Sequence, residues 1–398
     1  MDMDTPPLPP SAVPPSLAPP PVIAPSPSAK PRRSRGWMIA SIILSVLLVF
    51  CVLIIFVQAL SHMIGSRLGS GLRSGFRTTS VRDVGPRLDE CVIEDNNSPR
   101  KIAVVTVDGI ITSHTADQAG NNMVDVIKAQ LDRAKDDDRV RAVILKVDSP
   151  GGEVMASDEI NKIIANFQAD KLDESGKLIT KGKPVVCSMG SLAASGGYYI
   201  SVPCRWIVAN ELTLTGSIGV IMEGLNYRGL MDKVGLAPIV YKSGKYKDML
   251  SGMRSTNEIP AGEHAMVQKL IDDTYQKFKS VVADGRKAAH DSNKSEGRAL
   301  INDWADYADG RVLSGADALS YGFVDELGDF DKAVERTKKI AHIGTANLVE
   351  YRERYDIGDF LHMFGQSESS RAIRIDLGAE LPKLQAGYLY FLSPTYVN

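Results

Sequence analysis

The stretch Val185–Ser201, VVCSMGSLAASGGYYIS, decides how the rest of the chain is read. It follows Pro184 as an apolar, β-branched run, then breaks into Gly, Ser and Ala and ends in Gly196-Gly197-Tyr198-Tyr199. A short apolar run bounded by turn residues reads as a buried strand. A strand that gives way to small residues and then to a helix start is where a nucleophile is held against a substrate. Ser195 is the candidate nucleophile, with Ser188 and Ser191 as framework on the strand exit.

The neighbouring segments repeat the pattern. Ile102–Val107 is a strand, and Val124, Ile127 and Leu131 recur at helical spacing. Val140–Asp148 is a second buried strand, followed by the turn Ser149-Pro150-Gly151-Gly152 and a helix over Val154–Phe167. After a polar insertion around Lys171–Lys183, the Val185 strand begins. Downstream, Trp206–Ala209 reads as a short strand, Thr215–Val220 as a turn into a strand, Asn226–Val234 as a helix and Ala237–Lys242 as a strand. A long amphipathic helix is expected over Ala261–Ala283, with Met266, Leu270, Tyr275, Phe278 and Val282 on one face. Gly310–Gly328 is a further αβ unit, and a helix spans Phe330–Ala341. Strands alternating with helices predict an α/β fold with a largely parallel sheet.

A serine needs a base to attack at neutral pH. None of the six histidines (His62, His114, His264, His290, His342, His362) lies in a motif-like setting. That turns the search to lysine. A lysine base must drop from about 10.4 toward 7, roughly 4 kcal/mol, which requires burial or a nearby cation. The loop Tyr241–Asp248 offers Lys242, Lys245 and Lys247, and composition does not choose among them. For the oxyanion, the turn after Asp148 supplies glycines ahead of a helix start. The N–H of Gly152 and that of Gly196 are the candidate donors.

The N-terminal region is of another kind. Residues 1–36 hold more than half of the 21 prolines and read as a disordered, locally extended tail with a basic flank, Lys30-Pro31-Arg32-Arg33-Ser34-Arg35. An uncharged run, Trp37–Val57, follows; at 1.5 Å per residue it spans roughly 30 Å, one hydrocarbon core. It exceeds a signal-peptide h-region and no A-x-A site follows, so residues 37–60 are read as an uncleaved signal anchor rather than a cleaved leader. The basic flank predicts a single-pass cell-membrane protein with a cytoplasmic N-terminus and an extracytoplasmic body. Residues 61–100 read as a juxtamembrane linker, its Arg67, Arg73 and Arg77 either meeting anionic lipid or lying in a solvated spacer. A net charge of −2 gives no global pull toward nucleic acid. The four cysteines show no CxxC spacing, and no metal or other cofactor is expected.

Five segments in order, DSPGGEV, SMGSLAASGGYYIS, TGSIGVI, YKSGKYKD and GRVLSGADALSYGFVDELG, make the chain resemble the signal peptide peptidase A (protease IV) family. The resemblance covers roughly residues 101–340, giving a protease domain at 101–343 and a C-terminal extension at 344–398. It implies the Clp-protease/crotonase-like superfold of repeated ββα units. It implies Ser195 as nucleophile, Lys247 as general base, Ser217 as the residue orienting the lysine, and Gly152 and Gly196 as the oxyanion hole. It implies apolar peptide substrates such as spent signal peptides. It also implies a ring-shaped homo-oligomer in which serine and lysine of one site come from neighbouring subunits. Asp148 where asparagine is common, the insertion at Lys171–Lys183 and Gly252 in place of a frequent proline depart from the pattern and bear on substrate preference. A crotonase-type acyl-CoA enzyme and a non-catalytic membrane scaffold are the alternatives on the same fold. The apolar run Tyr388–Val397 is a candidate occupant of the protein's own substrate groove, against simple packing on the body or a neighbour.

Overall fold

The strands Lys101–Asp108, Val140–Ser149 and Val185–Ala194 carry apolar residues on both faces, and that double burial organises the sheet. In the computed structural model, which describes residues 85–114, 121–294, 296–354 and 389–392, these strands lie side by side and parallel. In chain order the elements are β1 (Leu88–Glu94), β2 (Lys101–Asp108), α1 (Met123–Asp136), β3 (Val140–Ser149), β4 (Gly151–Glu153), α2 (Val154–Gln168), β5 (Lys171–Leu172), β6 (Leu178–Thr180) and β7 (Val185–Ala194). Then come α3 (Gly196–Ser201), β8 (Trp206–Ala209), β9 (Leu214–Gly216), α4 (Arg228–Lys233), α5 (Ala261–Ser292), β10 (Val312–Ser314), α6 (Gly315–Ser320), β11 (Glu326–Leu327), α7 (Phe330–Ile340), β12 (Asn347–Glu353) and β13 (Tyr390–Leu392).

The main sheet runs β1-β12-β2-β3-β7-β8-β11, with β9 joined to the end of β7 and β10 to β9. All pairs from β12 to β11 are parallel; β1 with β12 and β10 with β9 are antiparallel. Successive strand residues face opposite sides. Ala103, Val105 and Val107, with Val143, Leu145 and Val147, face a core completed by Ile127 and Leu131 of α1 and by Ile160 and Ile164 of α2. Ile102, Val104 and Ile144 face Val334 of α7 on the other side. Trp206 and Val208 meet Ala333 of the same helix. Helices on both faces of a largely parallel sheet are the expected α/β architecture. β1 and β12 carry the sheet beyond residues 101–343.

Some expectations are corrected. Ala237–Lys242 forms no strand: it lies in an exposed stretch where no partner strand meets it, so its β-branched residues have nothing to pack on. The Asn226 helix is short, Arg228–Lys233, with no buried residue. The long helix runs on to Ser292, and Met266 and Leu270 are exposed while Phe278 and Val282 are buried. The helix meets the body from Ile271 and Tyr275 onward. The insertion at Lys171–Lys183 folds as an exposed two-strand hairpin. Cys91, Cys187 and Cys204 are free thiols. Among the described residues no helix is long and apolar enough to cross a membrane; the expected span at 37–60 lies outside them.

One polar contact in the core was invisible in the sequence. Arg286 of α5 and Asp325 are both fully buried and pair through two N–H···O contacts of 2.9 and 2.6 Å. The Arg286 guanidinium also donates to the Gly322 carbonyl, and the Asp325 carboxylate accepts from the backbone N–H groups of Ile207 and Arg298. Every partner is satisfied, so the pair joins α5 to the sheet without an orphaned charge. Asp325→Ala leaves that guanidinium buried and alone. It is expected to lower unfolding free energy by about 3–5 kcal/mol in urea titrations, and a loss under about 1 kcal/mol would contradict this account of the joint.

Candidate active site

β7 and β9 end side by side, and the site grows from that junction. Ala194 pairs with Gly216, and the Ser195 N–H donates to the Gly216 carbonyl at 2.8 Å. Ser195 is the residue between β7 and α3; its backbone sits at φ 53°, ψ −115°. A side chain at positive φ costs on the order of 1–3 kcal/mol unless the surroundings fix it. Here β7 must stop and α3 must start at one residue, and the turn is held from both sides. Ser217, at φ 49°, is the second such residue; its N–H donates to the Arg311 carbonyl at 2.8 Å. Ser195 and Ser217 are buried against protein, and both line one cavity of about 410 Å³ with Val220, Ile221, Tyr275 and Asp309.

The glycines bring two amides together. A Cβ built on Gly196 would fall 3.1 Å from the Gly152 nitrogen and 2.7 Å from Ser157 Oγ, so only glycine lets the two loops approach this closely. The turn ahead of Gly152 is fixed by Ser149, whose buried hydroxyl accepts from the Gly151 N–H at 3.1 Å. The adjacent Asp148 carboxylate accepts from the Leu192 N–H at 3.0 Å, which ties the turn to β7. The backbone at Gly152 and Gly196 therefore lies close together.

Glu153 was not picked out by the sequence. It follows Gly152 on β4, and its nearly buried carboxylate accepts from Thr112 Oγ1 (2.6 Å), the Ser113 N–H (3.1 Å), Ser113 Oγ (3.0 Å) and His114 Nδ1 (2.8 Å). The backbone agrees: Ile111 bridges Gly152 in parallel, and the Glu153 N–H donates to the Ile111 carbonyl. Burial pushes the Glu153 carboxyl up, but these hydrogen bonds outweigh it and hold it below the usual carboxylate range. Its only sequence signal was a charged residue directly after the turn glycines.

The lysine loop stands apart from this cavity. Lys247 is exposed and does not line it. Its neighbours are committed elsewhere: Lys242 Nζ lies 2.8 Å from both Asp248 carboxylate oxygens, and Lys245 Nζ sits 5.2 Å above the Tyr246 ring. Among the described residues the Lys247 ammonium makes no ion pair or hydrogen bond. The loop itself is anchored. Buried Arg254 pairs with Glu263 at the start of α5 and reaches Asp248 at 3.3 Å, and the Leu250 N–H donates to Glu263. A single chain thus brings together Ser195, Ser217, Gly152 and Gly196, and leaves Lys247 facing outward.

A buried serine on a strand-to-helix break, beside closely packed glycine backbone and a cavity, is compatible with a serine peptidase of the α/β class. Residues 177–344 match peptidase family S49. A protein named signal peptide peptidase SppA from Enterococcus faecium is 35% identical over 272 residues, 67% of this chain and 71% of that one. Protease 4 of Haemophilus influenzae is 34% identical over 63% of this chain but only 36% of its own length. The chloroplastic serine protease SPPA of Arabidopsis thaliana is 32% identical over 58% of this chain and 31% of its own length. The chain belongs to peptidase family S49.

The depressed Glu153 carboxyl fixes the sign of a pH effect. Its stabilisation is full above the unfolded value of about 4.3 and is lost as pH falls through the lower folded value. Glu153→Gln is expected to lower the melting temperature at pH 7, with the gap to the parent closing below about pH 4. A gap constant from pH 7 to pH 3 would show that the carboxylate charge is not what clamps Thr112–His114.

Proposed function

We propose that the protein is a membrane-anchored serine endopeptidase with a Ser–Lys dyad, Ser195 and Lys247, that degrades signal peptides or similar short apolar peptides outside the cytoplasm. The observation that carries it is Ser195, held at a strained break beside the Gly152 and Gly196 backbone and lining the cavity. Ser195 Oγ gives its proton to Lys247 Nζ as it attacks the peptide carbonyl. The two amides hold the oxyanion. Lys247 then passes that proton to the leaving amine. Water, deprotonated by the same lysine, hydrolyses the acyl-enzyme. Ser217 orients the lysine when it is in place.

The position of Lys247 supports a site completed by a second copy in a ring. Its loop belongs to residues 222–260, which expose Leu225, Leu230, Ile239 and Tyr241. Apolar side chains exposed together along one segment mark an interaction surface. Covering them with a neighbouring copy takes the lysine out of bulk water, the condition a lysine base requires. The names of the relatives support the signal-peptide substrate class. The apolar run at 37–57 supports the anchor and the cytoplasmic N-terminus. The kinship of the motifs supports the repeated ββα, Clp-like form of the fold.

The test uses the full chain in detergent. Ser195→Ala and Lys247→Ala are each expected to lower kcat by about 10³-fold or more. Mixed in equal amounts and reassembled, the two variants should regain about a quarter of parental activity, since one pairing in four joins an intact serine to an intact lysine. Either variant hydrolysing peptide near the parental rate would remove the dyad, and no recovery on mixing would remove the shared site. Recovery of the parent in a carbonate-soluble fraction would remove the anchor.

A further inference from the structure

The cavity beside Ser195 has one acidic wall. Asp309 is the one carboxylate among the described residues that line it, and the rest of the lining is apolar or uncharged. The turn that carries Asp309 is fixed to the strand end that carries Ser217. The Ser217 N–H donates to the Arg311 carbonyl at 2.8 Å, and Val312 pairs with Gly216. Between them Gly310 takes φ 94°, and a Cβ built on Gly219 would fall 3.2 Å from the Gly310 Cα. Ser195, Ser217 and Asp309 therefore face one space from three fixed backbones.

The Asp309 charge is held and partly balanced. Its Oδ1 accepts from the Arg311 N–H at 3.1 Å and from Arg311 Nε at 2.8 Å, and its Oδ2 from Nη2 at 2.7 Å. The guanidinium lies 5.4 Å from the centroid of the Tyr307 ring, which stacks on Tyr321 at 3.8 Å. Arg311 holds the Asp309 carboxyl down at about 2, so it is ionised at neutral pH. Across the cavity Tyr275 donates its hydroxyl to the Ala308 carbonyl; burial, and then the Asp309 charge, push that hydroxyl up, so it stays neutral. One turn along α5, Lys279 Nζ lies 4.4 Å from the Tyr275 ring centroid. The charged and titratable groups around the space are thus Asp309, Arg311, Tyr275 and Lys279, with Tyr307 and Tyr321 behind Arg311 and Asp317 bearing on Tyr321.

A lysine base becomes an ammonium as the serine attacks, and an apolar wall such as Val220, Ile221 and Ile271 opposes that charge. A nearby carboxylate favours it, yet an unbalanced one would keep the lysine protonated from the start. We propose that Asp309 is a positioning residue for the base: it faces the Nζ of a neighbouring copy's Lys247 when that lysine enters between Ser195 and Ser217, it stabilises the ammonium formed there, and Arg311 tempers its pull so that the lysine can begin neutral. This deepens the Ser–Lys reading and rests on it. The Ser195 O–H bond breaks as the third N–H bond on Nζ forms, and that proton leaves with the amine. Asp309 stays ionised throughout and exchanges no proton.

The experiment measures kcat/KM against pH for the full chain in detergent, with the uncharged fluorogenic peptide acetyl-Leu-Leu-Ala-aminocoumarin. The acid limb of that profile reports the proton leaving the base of the free enzyme. Asp309→Asn removes the carboxylate and is expected to move the limb to lower pH by about one unit. Arg311→Gln removes the cation and should move it to higher pH, while Asp309→Glu, which keeps the charge, should leave it near the parent's. A loosened fold lowers the rate at every pH and does not shift the limb in opposite directions. Limbs that coincide in the parent, Asp309→Asn and Arg311→Gln would overturn the proposal. Where Asp309→Asn turns over too slowly to follow, its rate of fluorophosphonate labelling against pH reads the same limb. Lys247→Ala separates the two claims. An inactive Lys247→Ala with unmoved limbs overturns the role of Asp309 alone; a Lys247→Ala variant as active as the parent overturns the dyad and the role of Asp309 with it.

Discussion

The left-handed backbone of Ser195 is the constraint on which the site depends. A β-strand does not turn into a helix at a non-glycine residue without a cost, and that cost is met by packing on every side. The Ser195 N–H is bound to Gly216, and Gly196 lies against Gly151 and Gly152 with no room for a side chain. Gly197 lies as tightly on the Ser149 carbonyl, 2.7 Å from where its Cβ would stand. Three loops from three strands therefore meet at one point: the exits of β3, β7 and β9. Moving any of them would free the serine to relax, and the alignment of hydroxyl, amides and cavity would go with it.

The body and the lysine arm differ in kind. β3 and β7 are buried on both faces, and the Arg286–Asp325 pair fixes α5 to the sheet behind them. That rigidity holds the glycine backbone at Gly152 and Gly196 close together. Residues 222–260 are tied to α5 through Glu263, which meets Arg254 and the Leu250 N–H, and present apolar side chains outward. Under the proposed Ser195–Lys247 dyad, a nucleophile in the core and a base on an uncovered segment tie activity to assembly.

How much was legible follows from where each feature is encoded. Strands β2, β3 and β7 were read correctly because double burial writes a continuous apolar run into the sequence. The meeting of Ser195, Gly152, Gly196 and Ser217 in one region was legible because tight backbone approach demands small residues at fixed places. The strand expected at Ala237–Lys242 failed because β-branched residues signal a strand only where another strand can pair with them. Met266 and Leu270 look like a core stripe, yet the core ends before it reaches them. Arg286–Asp325, the Glu153 clamp and the contact of Phe391 with Tyr199 and Phe278 join residues far apart in the chain, and no local pattern announces a partner. The C-terminal run read as a candidate for the groove, but its register, Phe391 against Gly152, follows only from the pairing with β4.

The central claim is that one serine, Ser195, is activated by its place in the fold. The most direct measurement is labelling of the assembled full-length protein with a fluorophosphonate, followed by mass mapping of the adduct. A single adduct on Ser195, with Ser191 and Ser217 unmodified, is the predicted result. An adduct on another serine, or unlabelled protein that still cleaves peptide, would contradict it.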